Sequence, residues 1–299
     1  MNSASDRISD IARLQDELRS AGYIAEPALA ATLLLTLDLG LPLLVEGDAG
    51  VGKTEIAKAF ATVHGAQLIR LQCYEGLDVH AAIYEWNYQR QLLAIKLLEQ
   101  DHRPAAEKEK DIFSEAYLLK RPLLEAITCV EPPVLLIDEV DRADEAFEAY
   151  LLELLSDFQI SIPELGTMHA TSRPMVIITS NGTRELSDAL RRRCLYQFVE
   201  YPDFEKELAI VELKAPQAAG RLAGQIVDFV QHVRRMELQK TPGIAETLNW
   251  TAALLRMGIT VLDEDGAERI LDTLSALIKT REDRTAFTED VVARIAATC

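Results

Sequence analysis

Residues 43–61, LLVEGDAGVGKTEIAKAFA, decide the fold. Leu43, Leu44 and Val45 form a short apolar run, which reads as a buried strand. A glycine-rich turn follows, and then an alanine-rich segment with helical spacing. Inside the stretch lie Gly47, Asp48, Ala49, Gly50, Val51, Gly52, Lys53 and Thr54, a complete G-x-x-x-x-G-K-[ST] pattern between strand and helix. A triphosphate carries dense negative charge, and successive backbone N–H groups of such a loop can converge on it. The helix beginning near Lys53 adds its positive end. Lys53 is placed to reach the outer phosphates, and the Thr54 hydroxyl to complete the oxygen shell of a Mg²⁺ ion. A nucleotide, ATP, is the expected ligand.

Working outward, residues 1–40 read as helices, with Ile8, Ile11, Leu14 and Leu18 at helical spacing and a second helix over 27–39 that Gly40 and Pro42 end. Residues 67–73, QLIRLQC, suggest a second strand. Residues 74–98 read as an excursion whose stretch 84–93 alternates aromatic and polar residues and is expected in extended form. The charged run 99–111 is expected as a solvated loop, and 112–127 as one helix. Then Val134-Leu135-Leu136-Ile137-Asp138-Glu139 places two acids at the end of an apolar run. A buried parallel strand delivers carboxylates to its carboxyl edge in this way. Asp138 is expected to hold the Mg²⁺ shell, and Glu139 to orient or deprotonate the attacking water. Two acids that merely start a loop are the plainer alternative; the phosphate loop upstream favours the functional one.

Residues 158–173 look like a hairpin, and 174–181, PMVIITSN, like another buried strand. Asn181 stands where it could touch a water or the γ-phosphate, or where it could simply cap a loop before Gly182. Arg191, Arg192 and Arg193 suit a solvated face, or an arginine offered to a neighbouring subunit's phosphate. A last strand is expected over 194–201. From Phe204 onward the pattern is helical, over 204–213, 219–236, 245–257, 263–279 and 288–297, with Trp250 as a core residue. The expected organisation is an α/β domain over 1–202, with inserts near 74–98 and 158–173, and a helical lid over 203–299.

Composition narrows the partners. The formal net charge is −17 over 299 residues, with 48% hydrophobic residues. That balance counts against a broad grip on nucleic acid, which needs a Lys or Arg at each phosphate contact. Cys73, Cys129, Cys194 and Cys299 show neither a C-x-x-C pair nor zinc spacing, and three of them, in apolar surroundings, read as buried reduced thiols. The first residues do not resemble a signal peptide, and no apolar run approaches a membrane span, so a cytoplasmic protein is expected.

Taken together, the phosphate loop, LLIDE, ITSN, ALRRRC and the helical C-terminal part resemble the AAA+ ATPase superfamily. The two inserts resemble those of its MoxR branch. PLLVEGDAGVGKTEIAKA, LIRLQCYEGLDVHAAIYEWNYQRQLL and SDALRRRCLYQFVEYP look like the MoxR-type ATPases associated with aerobic carbon monoxide dehydrogenase and related molybdenum hydroxylases, the CoxD-like group. The resemblance runs from Gly22 to about Trp250. It implies a three-layer α/β sandwich with a mainly parallel five-stranded sheet, then a helical lid. It makes 47–54 the Walker A loop and Asp138–Glu139 Walker B, with Glu139 the catalytic carboxylate. It puts Asn181 at sensor 1, Arg193 at the arginine finger with Arg192 as its rival, and Tyr23 and Ile24 at the adenine. No arginine stands at the sensor-2 position in 241–247. The resemblance further implies a homo-oligomeric ring, a hexamer, acting as an ATP-driven maturation chaperone. Its client would be a molybdenum enzyme, and its helper a protein with a von Willebrand factor A domain. A nucleic-acid motor is the alternative from related branches, and the acidic balance opposes it.

Overall fold

The computed structural model describes residues 4–97 and 103–299. Among them are nine strands: β1 (Leu43–Glu46), β2 (Leu68–Gln72), β3 (Tyr84–Trp86), β4 (Leu118–Lys120), β5 (Val134–Asp138), β6 (Gln159–Ile162), β7 (Gly166–His169), β8 (Met175–Ser180) and β9 (Leu195–Phe198). The chain divides into two compact units that are not consecutive in sequence. One comprises the described residues of Ala28–Glu46 and Phe60–Phe198; the other comprises those of Met1–Pro27, Gly47–Ala59 and Val199–Cys299.

The first unit holds a five-stranded parallel sheet in the order β2-β5-β8-β1-β9. Strand β5 is buried along its whole length and β8 nearly so, whereas the edge strands β2 and β9 alternate between buried or half-buried and exposed positions. Central strands covered on both faces need continuous apolar runs; edge strands do not. The parallel register sets Gln72 beside Asp138 and Glu46 beside Ser180. Flanking helices bring Leu123, Leu124, Phe147 and Leu151 into the same core.

The inserts differ from expectation. Only Tyr84–Trp86 of 84–93 is extended; β3 pairs antiparallel with β4, Trp86 opposite Leu118. A helix over Tyr88–Leu97 follows, because Asn87 Oδ1 accepts the N–H of Arg90 and starts it. Residues 105–111 of the charged run are helical rather than loop, in a helix Ala105–Ile112, and 98–102 lie outside the described residues. The single helix expected over 112–127 is broken by a 3₁₀ turn, Glu115–Tyr117, and by β4. It resumes only at Pro122–Thr128. Pro122 is the first helical residue and keeps Arg121 extended, as proline requires of its predecessor. The hairpin over 158–173 forms as β6 and β7, with Ser161 opposite Thr167.

The second unit is helical. Helices Arg221–Arg234, Ile244–Arg256, Ala267–Thr273 and Glu289–Ala296 share a core that includes Leu222, Ile226, Phe229, Trp250 and Leu254, and the helix Phe204–Lys214 packs Val211 against Ala223 and Val227 in a smaller cluster. The span expected as one helix over 263–279 is helical only at Ala267–Thr273, with 3₁₀ turns on either side, and a short helix at Arg281–Thr285 was not expected. Trp250 is fully buried and donates to Thr273 Oγ1 at 2.8 Å. A buried ion pair ties the unit together: Arg234 donates to both Glu207 oxygens at 2.6 and 2.7 Å and to the Pro242 carbonyl at 2.9 Å. Bidentate geometry and further donors from Thr247 and Gln231 make such a pair tolerable in a dry interior. All four cysteines are free thiols, Cys73 buried and the others half-buried. No helix among the described residues is long and apolar enough to cross a membrane.

Candidate nucleotide site

The phosphate loop belongs to the helical unit. Lys53 is the first residue of the helix Lys53–His64 and is nearly buried. Its ammonium donates to the carbonyls of Gly47 at 2.6 Å and Asp48 at 2.7 Å. The Tyr201 hydroxyl donates to the Ala49 carbonyl at 3.1 Å, and the Ile244 N–H to that of Gly50 at 2.9 Å. With four successive carbonyls tied back, the loop has its amide N–H groups to offer an anion. Gly50 has φ 87°, a left-handed conformation, and Gly243 packs directly on it; a Cβ on Gly243 would come within 2.7 Å of Gly50 Cα. The start of the helix Ile244–Arg256 thus stands at the position where the resemblance expects an arginine; it meets the loop through the Gly243 and Ile244 backbone, with the Ile244 side chain beside Gly52. Thr54 lies in the first turn of the loop helix, half-buried, and Val51 is buried beneath the loop. Tyr23 and Ile24 are half-buried in the same unit. Burial, then Glu26 and Glu55, push the Tyr23 phenol above its usual range.

The acids belong to the sheet unit. Asp138 ends β5, only 3% exposed. Its Oδ1 accepts the Thr179 hydroxyl at 2.5 Å, and its Oδ2 accepts Arg70 Nη2 at 2.5 Å. Glu139 has φ 55°, left-handed and strained for a residue with a side chain. Its N–H is held by Thr179 Oγ1 at 2.9 Å. Its carboxylate accepts from Gln72 Nε2 at 3.0 Å, Arg142 Nη1 at 3.2 Å and Asn181 Nδ2 at 3.4 Å. Ser180 Oγ accepts the Gly182 N–H, and the Asn181 amide faces Glu139.

Several of these residues escaped the sequence reading. Thr179 organises both acids. Asp141 accepts from the N–H groups of Asn181 and Thr183 and from the Thr183 hydroxyl, fixing the loop after β8. Burial alone would raise the Asp141 carboxyl, but these bonds outweigh it and hold it below the ordinary carboxylate range. Gln72 and Arg70 sit on β2. The one sequence signal for them was polar residues at alternate positions of a strand that parallel pairing lays beside Asp138.

The arginines are sorted by the helix Asp188–Arg193. Arg191 turns back to Glu46 at 3.0 Å. Arg192 is 84% exposed at its side chain. Arg193 is exposed and donates to Ser156 Oγ at 3.2 Å.

A parallel sheet with an acidic pair at a strand end, and a phosphate loop following another strand, define a P-loop nucleotide hydrolase of the AAA+ fold. Residues 42–194 match the AAA domain (dynein-related subfamily), and the chain belongs to that family. It is an ATPase, converting ATP and water to ADP and phosphate. Among solved structures, it is similar to the RuvB Holliday junction branch migration motor of Thermotoga maritima (17% identity, 90% of this chain and 71% of that one, TM-score 0.46). It is also similar to a putative ATPase of Cytophaga hutchinsonii (17% identity, 97% and 94% covered, TM-score 0.47). No curated protein matches the chain.

Proposed function

We propose that this ATPase is a MoxR-type chaperone that works as a ring, a hexamer, and remodels a client protein in the cytoplasm. The client is a molybdenum enzyme such as carbon monoxide dehydrogenase at the stage of metal or sulfur insertion, with a von Willebrand factor A domain protein as helper. The mechanical parts are residues 1–202 and 203–299. Residues 47–54 hold the triphosphate, with Lys53 on the outer phosphates and Tyr23 and Ile24 at the base. Glu139 takes the proton of the attacking water, whose oxygen bonds to the γ-phosphorus as the bond to ADP breaks. Asn181 steadies that water, and Arg193, with Arg192 as its rival, stabilises the charge on a neighbour's phosphate.

A Mg²⁺ ion suits the donors: Thr54 and Asp138 offer hard oxygens, and the buried Asp138 already holds a cation, Arg70. When bound, the ion would neutralise charge on the phosphate oxygens.

The observation that carries the reading is Glu139. It is a strained residue whose carboxylate is pinned by three side-chain donors beside a buried aspartate, an arrangement costly to the fold and useful to hydrolysis. A protein client is favoured by the charge of −17 and by the exposed Leu92, Leu93 and Leu97 on the first insert. The test is capture from native cytosol with tagged, ATP-loaded Glu139→Gln protein. A molybdenum hydroxylase subunit or a von Willebrand-domain protein is expected; nucleic acid with its processing proteins would replace the reading with the motor.

A further inference from the structure

We propose that Arg70 is a resident counter-cation for Asp138, which a magnesium–nucleotide complex must displace before the acids can work. The inference rests on Asp138 being the metal-holding acid. Arg70 Nη2 makes two bonds at once, to Asp138 Oδ2 at 2.5 Å and to Gln72 Oε1 at 2.5 Å. The other end of that amide, Gln72 Nε2, holds Glu139 Oε2 at 3.0 Å. One guanidinium nitrogen therefore links both acids of the site.

The chemistry explains why a cation is needed. Asp138 is 3% exposed, and an uncompensated buried carboxylate is costly. Thr179 supplies one hydrogen bond but no charge. Arg70 supplies a positive charge, yet its own side chain is 47% exposed, so it can swing into water at small cost. A buried acid with a removable partner suits a site that is alternately loaded and empty. When Arg70 leaves, the Gln72 amide oxygen loses the donor that fixes its orientation, and Glu139 loses a settled partner. Arg70 is thus a positioning residue that acts through Asp138 and Gln72.

The test measures binding rather than turnover. A fluorescent ADP analogue is titrated with Mg²⁺ from a chelated start, and the half-point of the magnesium-dependent tightening is read for wild type, Arg70→Ala, Arg70→Lys and Asp138→Asn. Arg70→Ala is expected to lower the half-point about three- to tenfold, the worth of a partly exposed charged hydrogen bond. Affinity in chelator should be unchanged, and Arg70→Lys should return the half-point toward wild type. Asp138→Asn should raise it. If Asp138→Asn raises the half-point and Arg70→Ala leaves it in place, Arg70 does not guard the site. If Asp138→Asn also leaves it in place, Asp138 is not the metal-holding acid, and the proposal falls with that assignment.

Discussion

Thr179 shows how much one hydroxyl can organise. It donates to Asp138 and accepts from the Glu139 N–H, while fully buried between them. Thr179→Val keeps the shape and removes both bonds. We expect a stability loss of about 1–3 kcal/mol, because two buried polar partners lose their mate. On the proposed roles kcat should fall more than KM changes, since Glu139 loses its backbone anchor; urea unfolding and steady-state kinetics check the two parts. Asp141 makes a second prediction, in pH. Its carboxyl is held below the usual range, so its contribution is present at neutral pH and lost as pH falls through the folded-state value. Asp141→Asn should melt lower than wild type at pH 7, and the gap should close below about pH 4, near the ordinary carboxylate value. A gap independent of pH would mean that the Asp141 charge does not hold the loop after β8.

Two elements meet closely at Gly50 and Gly243. The Ile244 N–H bonds the Gly50 carbonyl, and the backbones leave no room for a methyl group. Gly243→Ala should cost about 1–3 kcal/mol through overpacking and weaken nucleotide binding, because it is the loop that must shift. Gly224 is the control: in the helix Arg221–Arg234, a Cβ there meets nothing within 4 Å. Gly224→Ala should stabilise by about 0.5–1 kcal/mol and leave binding alone. Thermal melts with and without ADP separate the cases, and equal behaviour of the two variants would deny the contact any role. The same scale shows where the sequence was legible. Strands β1, β5 and β8 were readable because burial on both faces demands continuous apolar runs, and residues 47–54, 138 and 139 because their pattern is local. The inserts were not. Strand β3 finds its partner in residues 118–120, and the alternating aromatics of 84–93 imitated a strand while Asn87 was starting a helix. Arg70, Gln72, Thr179 and Asp141 join the acids through register between parallel strands and the turns after them, which no linear spacing reveals.

For the whole molecule the decisive question is whether a site is completed by a second copy. Arg192 and Arg193 end the helix Asp188–Arg193 with exposed side chains, and among the described residues Arg193 donates to Ser156 Oγ at 3.2 Å and to the Ala189 carbonyl at 3.3 Å. An arginine that stabilises charge on another subunit's phosphate has to be free to leave its own surface. Arg193→Ala should therefore retain nucleotide binding and lose about three orders of magnitude in turnover, as removal of such an arginine does elsewhere. Glu139→Gln should also bind and fail to turn over. Mixed together, the two inactive proteins should recover activity. An Arg193→Ala subunit keeps its own Glu139 and can borrow Arg193 from a Glu139→Gln neighbour, so mixed rings contain whole sites. Phosphate release across a series of mixing ratios, with total protein held constant, should peak between the pure variants. If activity stays at the floor at every ratio, while subunit exchange is verified by energy transfer between labelled copies, then Arg193 acts on its own nucleotide or not at all. Repeating the series with Arg192→Ala then decides which of the two adjacent arginines crosses the interface.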